Sequence, residues 1–71
     1  MPLATTRGRV VAFDDHRGIG EVEDLGTGGR VPFHCTAIAD GTRTIRVGTD
    51  VVFRIVTGPL GIVEAAELRP A

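Results

Sequence analysis

The chain has 71 residues, room for one small domain (1–71, with its organised part at about 7–68) whose single core must be efficient to stand without disulfide or metal. Ten glycines, four prolines and apolar positions dominated by Val, Ile and Ala suit a compact all-β module and exclude disorder or a fibre. The net charge of −1, with arginine as the only cationic residue type, excludes a strongly basic nucleic-acid binder but leaves room for a local cationic surface.

In chain order, period and punctuation give five short extended segments separated by turns. The first runs from about Arg7 to Phe13 and ends in the polar Asp14-Asp15-His16 before Gly18. The second covers about Ile19 to Glu23, and Leu25-Gly26-Thr27-Gly28-Gly29 follows as a hairpin loop. No Lys-Ser/Thr or helix start follows those glycines, so they do not read as a phosphate cradle. In the third, Arg30 to His34, Val31 and Phe33 point one way while Pro32 and His34 point the other. Proline removes a ladder donor, which requires Pro32 to face an unpaired edge or a bulge.

Thr36-Ala37-Ile38 reads as a short helical turn and Ala39 to Arg46 as a long loop. The fourth strand carries the clearest alternation, with Val51, Phe53 and Ile55 on one wholly apolar face. Thr57 to Gly61 turns the chain into a last strand from about Ile62 to Leu68, with a bulge expected at Ala65-Ala66. Five strands, one helical turn and no apolar helix to cover a sheet predict an oligonucleotide/oligosaccharide-binding (OB) barrel. Val10, Val22, Val31, Phe33, Val51, Phe53 and Ile55 are its expected core.

The lone Cys35 excludes an intramolecular disulfide, and Met1 to Arg7 lacks the basic start and apolar run of a signal peptide. No apolar run approaches transmembrane length. A cytoplasmic protein without membrane contact is expected. His16, His34 and Cys35 lack the spacing of a metal site, so no metal and no cofactor is expected. The pairs Asp14-Asp15 and Glu21-Glu23-Asp24 have no nucleophile or base beside them, and no enzyme is expected.

Several short stretches, in matching order and spacing, resemble the bacterial cold-shock family. Gly8-Arg9-Val10-Val11-Ala12-Phe13 is similar to its opening G-K-V-K-W-F, and Arg17-Gly18-Ile19-Gly20 to its K-G-F-G. Phe33-His34-Cys35-Thr36-Ala37-Ile38 is similar to V-H-F-S-A-I, and Val47-Gly48-Thr49-Asp50-Val51-Val52-Phe53 to E-G-Q-x-V-S-F. The resemblance spans roughly Gly8 to Leu68 and implies a five-stranded cold-shock OB barrel that binds single-stranded RNA or DNA by stacking bases on its first three strands. It carries Arg9, Ala12, Phe13, Arg17, Ile19, Glu21, Pro32, His34, Cys35 and Arg43 onto the family's nucleic-acid-binding positions.

Arg17, His34 and Phe13 keep the family's chemistry, whereas most of the aromatic platform is gone. The family Trp is Ala12, and the lysine before it is Val11. Ile19, Glu21, Pro32 and Cys35 stand at positions of Phe, Thr42 or Arg43 at that of a loop aromatic, and Leu60 at that of a basic residue in the last turn. Stacking contributes ~1–3 kcal/mol per base, and Glu21 adds repulsion toward phosphate, so the expected binding is weak, that of a passive RNA chaperone or regulator. The alternative is a protein-interaction or regulatory module using the apolar patch of Ala12, Ile19, Pro32 and Cys35 without nucleic-acid binding.

Overall fold

A computed structural model describes residues 5–71. Five antiparallel strands, β1 (Thr6–Asp14), β2 (Ile19–Asp24), β3 (Arg30–His34), β4 (Asp50–Thr57) and β5 (Val63–Pro70), form one sheet in the order β3-β2-β1-β4-β5. The two outer strands, β3 and β5, come back alongside each other. A parallel bridge joins Ile38 to Leu68, and the Ala39 N–H donates to the Leu68 carbonyl at 2.9 Å. The result is a five-stranded OB-type barrel left partly open along the β3–β5 seam. A one-turn 3-10 helix, Cys35–Ala37, follows β3, and Pro59–Gly61 forms the turn into β5.

Each hairpin is closed by local chemistry. Asp14 Oδ1 accepts from the backbone N–H groups of His16 (3.0 Å) and Arg17 (3.2 Å), which folds the β1–β2 turn. Asp24, only 8% exposed, does the same for β2–β3 by accepting from the Gly26 and Thr27 N–H groups. Gly18 has φ +66°, and a Cβ there would sit 2.9 Å from Cys35 Sγ, so glycine serves both the turn and a close approach.

The core comprises Val10, Val22, Val31, Phe33, Ile38, Val51, Phe53, Ala65 and Leu68. Six of the seven residues expected from alternation are among them. Ile55 is not: it is 44% exposed. Pairing of β4 with β1 runs to Phe53 opposite Thr6, and among the described residues β4 is flanked beyond that point by β5 alone, where small Ala65 faces Ile55. The expected bulge at Ala65-Ala66 is also displaced. Ala65 and Ala66 pair regularly with Ile55 and Arg54, and the irregularity falls where Glu67 and Leu68 together face Phe53, with Glu67 at φ 54°.

A second bulge shapes the functional face. Val10 pairs with Val22 but Ala12 pairs with Glu21, so Val11 is an extra residue in β1. Beyond it the phase reverses: Phe13, not Ala12, faces inward with Val10.

Candidate functional site

Cross-strand register turns the end of β1, β2 and β3 into three rows. Phe13, Gly20 and Phe33 stand opposite one another and form the inner row. Gly20 has no side chain, and the Phe33 ring covers it: a Cβ on Gly20 would lie 2.7 Å from Phe33 Cζ and 2.5 Å from the Ala12 carbonyl oxygen. The Phe13 and Phe33 rings stack across the gap with centroids 5.9 Å apart and planes 9° apart. The two outer rows are Ala12–Glu21–Pro32 and Asp14–Ile19–His34.

Hydrogen bonding explains how proline fits. The Cys35 N–H donates to the Gly18 carbonyl and the Asp24 N–H to that of Gly29, which fixes the alternation of bonded pairs between β2 and β3. By that alternation Pro32 and His34 are non-bonded partners of Glu21 and Ile19. The missing donor of Pro32 therefore faces the outer edge of the sheet, where no β2 carbonyl needs it.

These rows border a concave depression of about 540 Å³, lined by Ala12, Phe13, Asp14, Arg17, Ile19 and Glu21, by Gly20, and by Pro32, Phe33, His34 and Glu64. Its floor is apolar. Its charged groups are one guanidinium, Arg17, and three carboxylates, Asp14, Glu21 and Glu64. Glu21 Oε1 lies 3.9 Å from Arg30 Nη1, an ion pair longer than a hydrogen bond. His34 is exposed and held at its base: the Thr36 N–H donates to Nδ1 at 3.3 Å, and the Thr36 hydroxyl lies 3.0 Å from the same nitrogen. With Nδ1 accepting, the neutral ring carries its proton on Nε2, which remains a donor for a ligand.

Seven of the ten residues singled out from sequence, Ala12, Phe13, Arg17, Ile19, Glu21, Pro32 and His34, thus share one depression. The other three lie elsewhere. Arg9 borders a separate, smaller hollow with Arg7, Leu25 and Asp50, and its Nε donates to Asp50 Oδ1 at 3.0 Å. Cys35 is half-buried and packs against the core, with its Sγ under Gly18. Arg43 sits at φ 62° in the exposed loop before β4. The Val11 bulge turns Phe13 inward onto Phe33, and its ring forms part of the floor of the depression. Leu60 is 97% exposed at φ 63° in the last turn.

Glu64 is the lining residue that no local pattern pointed to, because it comes from β5 and belongs to none of the motifs. Among the described residues no group of three His, Cys, Asp or Glu side chains is arranged to hold a metal ion, and no helix is long and apolar enough to cross a membrane.

No family model matches the sequence, and no curated protein matches it. Solved structures do. A Drosophila Unr cold-shock-domain chain, described as CSD456, superposes with a TM-score of 0.80 over 97% of this chain, at 19% identity. This chain has the cold-shock-domain fold. It spans 27% of the length of the Unr chain, and at that identity the likeness is one of fold.

Proposed function

We propose that this cold-shock-type domain binds single-stranded nucleic acid weakly through the depression on β1–β3, as a cytoplasmic, non-catalytic RNA chaperone or regulator. The observation that carries the reading is the convergence of Arg17, Ile19, Pro32 and His34 on one concave, apolar-floored face of this fold. Ile19 and Pro32 give flat apolar contact to bases, the His34 ring stacks and donates from Nε2, and Arg17 holds a phosphate. Affinity is low because no exposed Phe, Tyr or Trp lies on the outer rows and three carboxylates outnumber the one guanidinium.

Titration of labelled single-stranded RNA and DNA at low and moderate salt tests this. Saturable binding that weakens with salt is expected, and Arg17→Ala should flatten the salt dependence by about one phosphate contact. Absence of saturable binding at micromolar protein defeats the proposal. The carboxylate excess around an apolar floor then favours the second reading, a module that docks a protein segment there.

A further inference from the structure

Glu21 sits where a stacking surface would ordinarily be indifferent to base identity, and its chemistry is not indifferent. It stands directly across from Pro32 in a non-bonded pair, whose Cβ atoms are about 4.5–5.5 Å apart, and two residues from Ile19 on the same face of β2. A base lying over Pro32 therefore brings its edge alongside the Glu21 carboxylate. That carboxylate is available: its side chain is 45% exposed, and Arg30 approaches only to 3.9 Å. The other two carboxylates are placed differently. Asp14 uses Oδ1 to close its turn, and Glu64 comes from β5 on another side of the depression.

We propose that Glu21 makes this face selective for guanine over uracil and thymine. The inference rests on the nucleic-acid reading above. An ionised carboxylate only accepts hydrogen bonds, through two oxygens side by side. Of the Watson–Crick edges of unpaired bases, guanine's alone offers two adjacent donors, N1–H and the N2 amino group, so both oxygens are satisfied at once. Adenine and cytosine each present one exocyclic amino group beside a ring nitrogen that accepts, and match half of the carboxylate. Uracil and thymine present a single N3–H between two carbonyl oxygens, one of which must face the second carboxylate oxygen. The same residue that weakens binding through repulsion of phosphate thereby favours guanine, the one base that satisfies both carboxylate oxygens.

The experiment uses an oligouridine of about seven nucleotides, within the footprint of one OB fold, and the same strand with a single central guanosine, which cannot self-associate through guanine runs. The wild-type chain should bind the guanosine strand at least about fivefold more tightly, the low end of the discrimination of a bidentate base contact. Glu21→Gln, which keeps the side-chain shape but replaces one acceptor with a donor, should strengthen oligouridine binding and shrink the ratio below about twofold. An unchanged thermal melt would confirm that the variant is folded, and a variant that unfolds is replaced by Glu21→Asp, whose shortened carboxylate should also lower the ratio. Equal binding of both strands by the wild type, or a preference that survives both substitutions, overturns the assignment while leaving nucleic-acid binding intact. Binding of neither strand overturns the proposed function and this inference with it.

Discussion

Substituting Ala12→Trp, Ile19→Phe and Glu21→Phe together places three rings on one surface, because Ala12 and Glu21 oppose each other across β1 and β2 and Ile19 lies two residues along β2 on the same face. All three positions border the 540 Å³ depression, and Ile19 is already 41% exposed, so the rings have open space above the sheet. The inner row of Phe13, Gly20 and Phe33, which lines the floor of the same depression, is left unsubstituted. Three contiguous rings accommodate at least two stacked bases, each contributing ~1–3 kcal/mol. At ~1.4 kcal/mol per factor of ten, the triple variant should bind a single-stranded oligonucleotide at least about a hundredfold more tightly than the parent. Loss of the Glu21 carboxylate adds to this at low salt, where phosphate repulsion is least screened. Fluorescence anisotropy against a labelled oligonucleotide, with a thermal melt to establish that the variant is folded, measures the gain. A folded variant that binds no more tightly than the parent would show that the two outer rows do not form a common binding face.

Two further outcomes follow from the geometry. Gly20→Ala forces its new methyl to 2.5 Å from the Ala12 carbonyl oxygen and 2.7 Å from Phe33 Cζ, an overpacking that should cost about 1–3 kcal/mol in urea denaturation, and a loss below about 0.5 kcal/mol would mean that the Phe33 ring does not cover this position. Asp40 accepts from the Thr42 N–H at 3.0 Å and the Thr42 hydroxyl at 2.8 Å, and these bonds hold its carboxyl below the ordinary value of 3.8. A group depressed in the folded state stabilises it above the unfolded pKa and loses that contribution as pH falls through the folded one. The Asp40 carboxyl should therefore titrate below 3.8 in an NMR pH series and move up toward it in Thr42→Ala, and a wild-type midpoint at or above 3.8 would remove the turn from the account.

The strands that position the site were legible where polar and apolar residues alternate. Val22 and Val31, separated by Glu23, Arg30 and the Asp24 turn, state their own phase, and Arg54 directly after Phe53 states that of β4. The stretch Val10-Val11-Ala12-Phe13 states nothing, because four apolar residues in a row fit either phase. Into that silence falls the Val11 bulge, which exchanges the faces of Ala12 and Phe13. Without it Ala12 would point into the barrel and Phe13 outward. With it, Ala12 joins Glu21 and Pro32 on the outside, and Phe13 spends its ring on Phe33 across Gly20.

Ile55 misled for a related reason: alternation reports which face a residue is on, but not whether a neighbouring strand still flanks that face, and among the described residues β1 pairs with β4 only as far as Phe53. Glu64 could not be read at all from its surroundings, since only the path of β5 around the barrel brings it to the depression. These limits bear on the chemistry as much as on the fold. Sequence motifs alone suggest one misplaced carboxylate on an eroded aromatic platform, whereas the folded chain gathers Asp14, Glu21 and Glu64 around an apolar floor, with Arg17 among the lining residues and Arg30 beside Glu21 as the nearby cations. On the proposed nucleic-acid reading, the edge chemistry at Glu21, and not the overall charge, should decide which strand this surface prefers.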